Sequence, residues 1–330
     1  MARRVAQHRI FDLAVTLLLI AVVTTLRSSL LPHSHEEIAN VVTPIGQWLQ
    51  MAGEKAHLIT VVVWALALVA AGLSAGRTGV RLSLYPAYTL MAIPIFGIVA
   101  AGVMVSGDYL LSTVAMMVML RATRYMQRCI MRTGSFGDLS LAMLCYGLLP
   151  LIYAPTAIFY VALPIIALVA RASWRDCLVT LSSLALPLFA ICYWSWCAGK
   201  AFLAPAKGIY AALMTESGFH FFSVLNPASI ILLGTLIVMI LCAISLILSD
   251  KYSLKVKARV VMRFNALQLL LLIGLFFIPS ATATLFTLIA VPAAMLIPLI
   301  FVRMGVGFTE TLYRLMLLAA AANCALMCWW

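Results

Sequence analysis

Apolar residues run through this chain in long unbroken stretches. They do not alternate every second position as they would in a half-buried strand. The stretch that organises the reading is Phe136 to Arg175, in which the 32 residues from Leu139 to Ala170 carry no charge. One straight span needs roughly 20 apolar residues, so this run is too long for one helix and short for two. Pro150 and Pro155 flank Tyr153, which predicts a hairpin of two short helices turning there, over 139–170. A second hairpin is predicted around Pro279, from Asn265 to Ile278 and from Ala281 to Val302, with an internal Pro292. Single spans are predicted at Ile10–Leu26, Leu58–Ala75, Leu84–Val105 (kinked at Pro94), Tyr109–Met126, Cys177–Ala198, Pro227–Leu248 and Leu312–Trp330. Beyond Pro44, the apolar Ile45, Trp48, Leu49 and Met51 predict a short helix lying on the membrane surface.

The expectation is an all-α polytopic membrane protein of about 11 spans, each backbone polar group being satisfied within its own helix. Residues 1–330 read as a single integral membrane domain. Its outer loops lie at about 27–57 and 199–225, and its basic inner loop at 250–263. Composition agrees. Hydrophobic residues make up 65% and charged residues 10%, against roughly 45–50% and 25% in soluble domains, more apolar surface than a water-soluble fold can hide.

The net charge of +12 reads as membrane topology, with no call for nucleic acid. Of the 22 Lys and Arg, four (Arg27, Lys55, Lys200 and Lys207) fall on outer segments in this layout, leaving 18 inside. That asymmetry sets the N-terminus in and the C-terminus out. Eight scattered Cys without a CxxC pair read as packing residues.

Chemistry is sparse. No predicted span carries a central Asp, Glu, Lys, Arg or His, which argues against proton-coupled transport. Tyr153, Tyr193, Ser195, Asn265, Gln268 and Asn323 are the polar residues inside spans, and hydrogen bonding between helices accounts for them. No P-loop or GxGxxG occurs in a credible context, so neither a nucleotide nor any other cofactor is expected. The run His33-Ser34-His35-Glu36-Glu37 lacks the spacing that puts two His on one helix face, and no metal is expected. Glu36 and Glu37 remain as candidate general bases, with Arg27, Lys200, Lys207, His220 and Tyr153 as candidate ligands of a lipid phosphate or sugar.

The segment Phe136 to Leu188, with GLLPLIYAP, Arg171, Ser173-Trp174-Arg175 and Pro187, resembles an uncharacterised family of multi-spanning inner-membrane proteins of Bacteroidota. The resemblance covers spans two to seven. It implies a bacterial inner-membrane location and no particular activity. The architecture is also similar to polyprenol-dependent glycosyltransferases, which carry an acidic residue in the first outer loop, where Glu36 and Glu37 lie here. The first outer loop is short, however, and no Asp-Glu pair follows the first span. The function expected is handling of lipid-linked glycans or polyprenyl phosphates at the outer leaflet, with membrane lipids as partners. The alternatives are a transporter or flippase, with a cavity lined by Tyr153 and Asn265, and a non-catalytic membrane partner of an envelope complex.

The layout makes a direct prediction. Single cysteines placed in 250–263 and in 199–225 of an otherwise cysteine-free chain should react with an impermeant maleimide from opposite sides of the membrane. Labelling of both from one side refutes the map.

Overall fold

The structure, a computed structural model, describes residues 43–85, 91–104, 106–132, 135–169, 173–217, 225–249 and 255–327. Among these every regular element is helical. The order is α1 (Pro44–Lys55), α2 (His57–Arg81), α3 (Ala92–Gly97, continued by a π-helical turn, Ile98–Gly102), α4 (Tyr109–Met131) and α5 (Phe136–Ile152). After a 3-10 turn (Ala154–Ile158) come α6 (Phe159–Val169), α7 (Trp174–Cys197), α8 (Ala204–Met214), α9 (Pro227–Ser249) and α10 (Val256–Gly274, extended by a 3-10 turn, Leu275–Phe277). The last are α11 (Thr284–Leu296), α12 (Pro298–Arg303) and α13 (Val306–Met327).

Five helical stretches among the described residues are long and apolar enough to cross a membrane: His57–Arg81, Trp174–Cys197, Pro227–Ser249, Val256–Phe277 and Thr284–Arg303. Their outer faces carry bare large apolar side chains, such as Leu66, Leu181 and Leu241. A surface of that kind is costly in water and free of cost in lipid. The molecule fits a helical membrane protein.

The centre of the bundle is not the Leu139–Ala170 hairpin. It is Thr284–Arg303, whose apolar stretch is 94% buried, whereas the other four long stretches are 28–44% buried. Helix α11 packs against α2, α3 and its π turn, α4, α9 and α10. Enclosure on every side requires an all-apolar circumference, with small residues where neighbours press closest, and Ala290, Ala293 and Ala294 meet that need. Two prolines sit in this core. Pro292 lies inside α11, and Pro298 starts α12 after a break at Ile297. Pro298 brings no N–H, so carbonyls near the break need other donors. The Tyr85 hydroxyl supplies one, donating to the Met295 carbonyl at 2.6 Å.

The hairpin turns where predicted. Tyr160 donates from its hydroxyl to the Gly147 carbonyl at 2.7 Å, and the Tyr146 and Phe159 rings lie 5.4 Å apart. Residues six and seven positions either side of Tyr153 therefore meet, as they must when the chain doubles back. Gly147 also lets α7 approach, since a methyl group there would strike the Leu184 carbonyl.

Several boundaries differ from expectation. The span predicted over Leu84–Val105 is helical only from Ala92 to Gly102 among the described residues. Pro94, expected as a kink, occupies the first turn of α3, where its missing N–H has no intrahelical role. Pro292 lies inside α11 as expected, but the predicted second helix is broken further on, at Ile297. The region predicted as an inner loop to Arg263 is already helix from Val256, so Lys257, Arg259 and Arg263 lie on α10. Long Lys and Arg side chains are good helix formers and snorkel towards an interface from a first turn. The predicted outer loops hold α1 and α8; Pro44 opens α1 behind the Thr43 cap. The predicted first span Ile10–Leu26 lies outside the described residues.

The bundle has two chemically different ends. At one, Arg124 of α4 donates from Nε to Thr78 Oγ1 of α2 at 3.1 Å, and Lys257 Nζ of α10 donates to the Met131 carbonyl at 2.8 Å. At the other, polar turns interlock. Gln50 Nε2 donates to Asp108 Oδ2 at 2.9 Å, Thr43 Oγ1 to the Ile152 carbonyl at 2.8 Å, and the Thr282 N–H to the Tyr153 hydroxyl at 2.9 Å. Ser217 Oγ donates to the Pro279 and Ala281 carbonyls. Helices α4, α5, α10 and α11 thus alternate in direction between a basic end and a turn end.

Leu288 and Leu241 sit on equally apolar helices, but Leu288 is fully buried in α11 and Leu241 is 58% exposed on α9. Leu288→Ala should cost about 2–4 kcal/mol in reversible unfolding of the reconstituted protein. Leu241→Ala should cost under about 0.5 kcal/mol. Equal effects would contradict the enclosed position of α11.

Candidate functional site

The turn end carries the predicted cations that the structure describes. Helix α7 stops in a Schellman motif. Gly199 takes a φ of +77°, the Lys200 N–H bonds the Ser195 carbonyl and the Gly199 N–H bonds the Trp196 carbonyl, both at 3.0 Å. Glycine carries this left-handed conformation without Cβ strain. The motif projects Lys200, exposed, just past the last turn. Three residues on, Pro205 in the first turn starts α8, which carries the exposed Lys207.

Around the two lysines lies an aromatic ledge. Tyr193, Trp196 and Tyr210 are all more than half exposed, and the Tyr193 and Trp196 rings lie 5.9 Å apart. The chain folds back so that Phe202 meets Phe189 edge-on at 5.9 Å, while Phe189 stacks on Tyr193 at 6.5 Å. These ring contacts hold the α7–α8 turn in place. Helix α8 seats on the 3-10 turn after Tyr153, through Ala212 against Ala154. Trp174 and Trp194, both about three-quarters exposed, stand 20 positions apart on α7. That is about 30 Å of helix rise, the thickness of a hydrocarbon core. Trp favours the membrane–water boundary, and Lys200 lies six positions beyond Trp194 along the chain.

Of the candidate residues, the structure brings Lys200 and Lys207 onto this ledge and puts Tyr153 beneath it. Tyr153 is 3% exposed, and its hydroxyl accepts from both the N–H and Oγ1 of Thr282, tying the two hairpin turns together. Arg27, Glu36, Glu37 and His220 lie outside the described residues. Among the described residues no group of three His, Cys, Asp or Glu is placed to hold a metal ion.

The polar residues inside the bundle form a second feature. Asn265 Nδ2 donates to the Val261 carbonyl, which directs its Oδ1 to accept from Gln127 Nε2 at 3.1 Å. One turn away, Gln268 Nε2 donates to Thr123 Oγ1 at 2.8 Å, and Thr123 lies 3.5 Å from the Tyr146 hydroxyl. The seam joins α4, α5 and α10. Elsewhere Asn323 donates to the Gly102 and Val103 carbonyls, where the π turn ends. Asn265, Gln268 and Asn323 are therefore interhelical bonding groups. Their partners Thr123 and Gln127 were not singled out from the sequence. Gln127 falls just past the predicted span end at Met126, and Thr123 sits among arginines. Of the ledge aromatics, Trp196 counts as apolar within a predicted span, Tyr193 reads there only as a polar span residue, and Tyr210 falls in the predicted outer loop. The signal that marks them is their crowding at the span's end beside a glycine.

Comparison with protein-family models, with curated proteins and with solved structures finds no match to this chain. Function is argued from the sites alone.

The seam generates a measurable coupling. Asn265→Leu strands the buried Gln127 amide and should destabilise by about 1–3 kcal/mol. The Gln127→Leu/Asn265→Leu double variant should recover part of that loss, with a coupling energy of about 0.5–2 kcal/mol in a double-mutant cycle. Strict additivity would show that the pair makes no contribution.

Proposed function

We propose that this chain is an integral protein of a bacterial inner membrane that holds a lipid-linked glycan or a polyprenyl phosphate at the outer leaflet. The observation that carries this reading is the ledge of Tyr193, Trp196, Tyr210, Lys200 and Lys207, which this reading puts at headgroup level. Aromatic faces suit both an isoprenoid chain and the apolar face of a sugar ring. An ammonium on a flexible stem suits a phosphate as a point charge. An aromatic belt alone would serve as an anchor. What favours a ligand is that lysine is rare on the side assigned as outer, with four of the 22 cations in all, and two of them stand on this one ledge.

In this reading the spans number about 11 and the basic end faces the cytoplasm. Arg27 and His220 add to the phosphate site, and Glu36 and Glu37 serve as general base for a sugar hydroxyl if the bound carrier is also a substrate. Holding the carrier and reacting it are separable, because the lysines and the glutamates lie on different segments.

Lys200→Gln/Lys207→Gln should lower retention of undecaprenyl phosphate by the purified protein in neutral-lipid nanodiscs by about tenfold, the equivalent of about 1.4 kcal/mol. Phosphatidylcholine content should stay unchanged. Glu36→Gln/Glu37→Gln should leave retention intact and alter envelope glycans in cells. Equal retention by wild type and the lysine variant rejects the reading.

A further inference from the structure

At the opposite end, arginines gather where α2 and α4 cross. Arg121, Arg124 and Arg128 follow one another at helical spacing along α4, and Arg81 stands one turn past Thr78 on α2. The Arg124–Thr78 hydrogen bond brings the two helices together at this level. The guanidinium of Arg124 lies within electrostatic reach of Arg81, Arg121 and Arg128, and among the described residues no carboxylate is one of the charges that reach it. Acids are present at this end but engaged elsewhere. Asp138 caps α5 with Ser135, and Asp176 caps α7 with Ser173.

Cations at a membrane boundary ordinarily extend into water and pair loosely with headgroups. Arg124 differs. It is half-buried, and its Nε is fixed by Thr78, which in turn donates to the Ser74 carbonyl at 2.7 Å. Its two amino groups have no acceptor among the described residues. Arg81 and Arg121 are exposed and make no ion pair among them. Four like charges with no counter-charge among the described residues repel one another. A planar guanidinium fork fixed in position matches a phosphate bidentately.

We propose that this notch between α2 and α4 binds a phosphate group, carried by an anionic phospholipid head or by a soluble phosphate compound. The site is separate from the ledge and does not depend on what the ledge holds. The bound phosphate relieves the repulsion and clamps α2 to α4. Its absence leaves the arginines as a local source of instability.

The test uses the full chain in phosphatidylcholine nanodiscs, with thermal unfolding as the readout. One arm adds phosphatidylglycerol to the disc, and the other adds inorganic phosphate at matched ionic strength. Wild type should gain about 5 °C in one arm. Gain with phosphatidylglycerol alone identifies a lipid head, and gain with inorganic phosphate alone identifies a soluble ligand. Arg81→Gln/Arg121→Gln removes two exposed charges that make no bonds. It should unfold at a higher temperature than wild type without either probe and lose most of the gain with it. Lys255→Gln/Arg263→Gln removes the same charge at the same end but outside the notch, and should gain as wild type does. The proposal is overturned if wild type gains in neither arm, if the notch variant gains as much as wild type, or if the control loses as much as the notch variant.

Discussion

The structure depends on one constraint, that a helix with no lipid-facing side must be closed off by its neighbours all round. In a bilayer the hydrophobic effect does little to drive helices together, because lipid tails are as apolar as leucine. What holds α11 in place is close packing and the satisfaction of backbone groups that its prolines disturb. The Ala-rich stretch near Pro292 supplies the first, and Tyr85 at the Ile297 break contributes to the second. The helices around α11 divide their surfaces between it and lipid, which is why their long apolar stretches are less than half buried.

Much of this was legible in the residues. The turn at Tyr153 followed from prolines on either side of it, because proline cannot extend a helix in both directions. Cations led to a division between two ends, and the Arg124–Thr78 and Lys257–Met131 bonds hold a cation of α4 against α2 and a cation of α10 against α4 at one of them. The identity of the central helix was not legible. Leu139–Ala170 and Thr284–Arg303 are equally greasy, and hydropathy does not distinguish a helix wrapped in protein from one wrapped in lipid. The loops were misjudged for a related reason. Lys255 to Arg263 looks like a charged linker by composition, yet each of its long side chains is compatible with a helix that starts at the interface. Of the candidate site, Lys200 and Lys207 could be selected by their rarity. Of the rings near them, Tyr193 stood out only as a polar residue within a span and Tyr210 as a loop residue, while Trp196 counted as apolar and did not stand out.

The two ends of the bundle pose opposite electrostatic situations. On the ledge, two lysines stand among aromatic rings with room for a ligand to supply its own apolar surface. In the notch, arginines are concentrated, and one of them is fixed by a hydrogen bond. Between the two ends, among the described residues, no charged side chain is fully buried. The interior relies on neutral amides and hydroxyls to set helix register, a role that costs less desolvation than a buried charge.

The order of synthesis gives the enclosed position of α11 a further consequence. Helices α2, α3, α4, α9 and α10 emerge from the ribosome before the segment they surround. Until Thr284–Arg303 follows, those helices have faces suited to a neighbour that does not yet exist, and lipid or a membrane chaperone must occupy the vacancy. The plug is therefore a late arrival, followed only by α13, and a chain cut before residue 284 lacks the helix that its neighbours enclose.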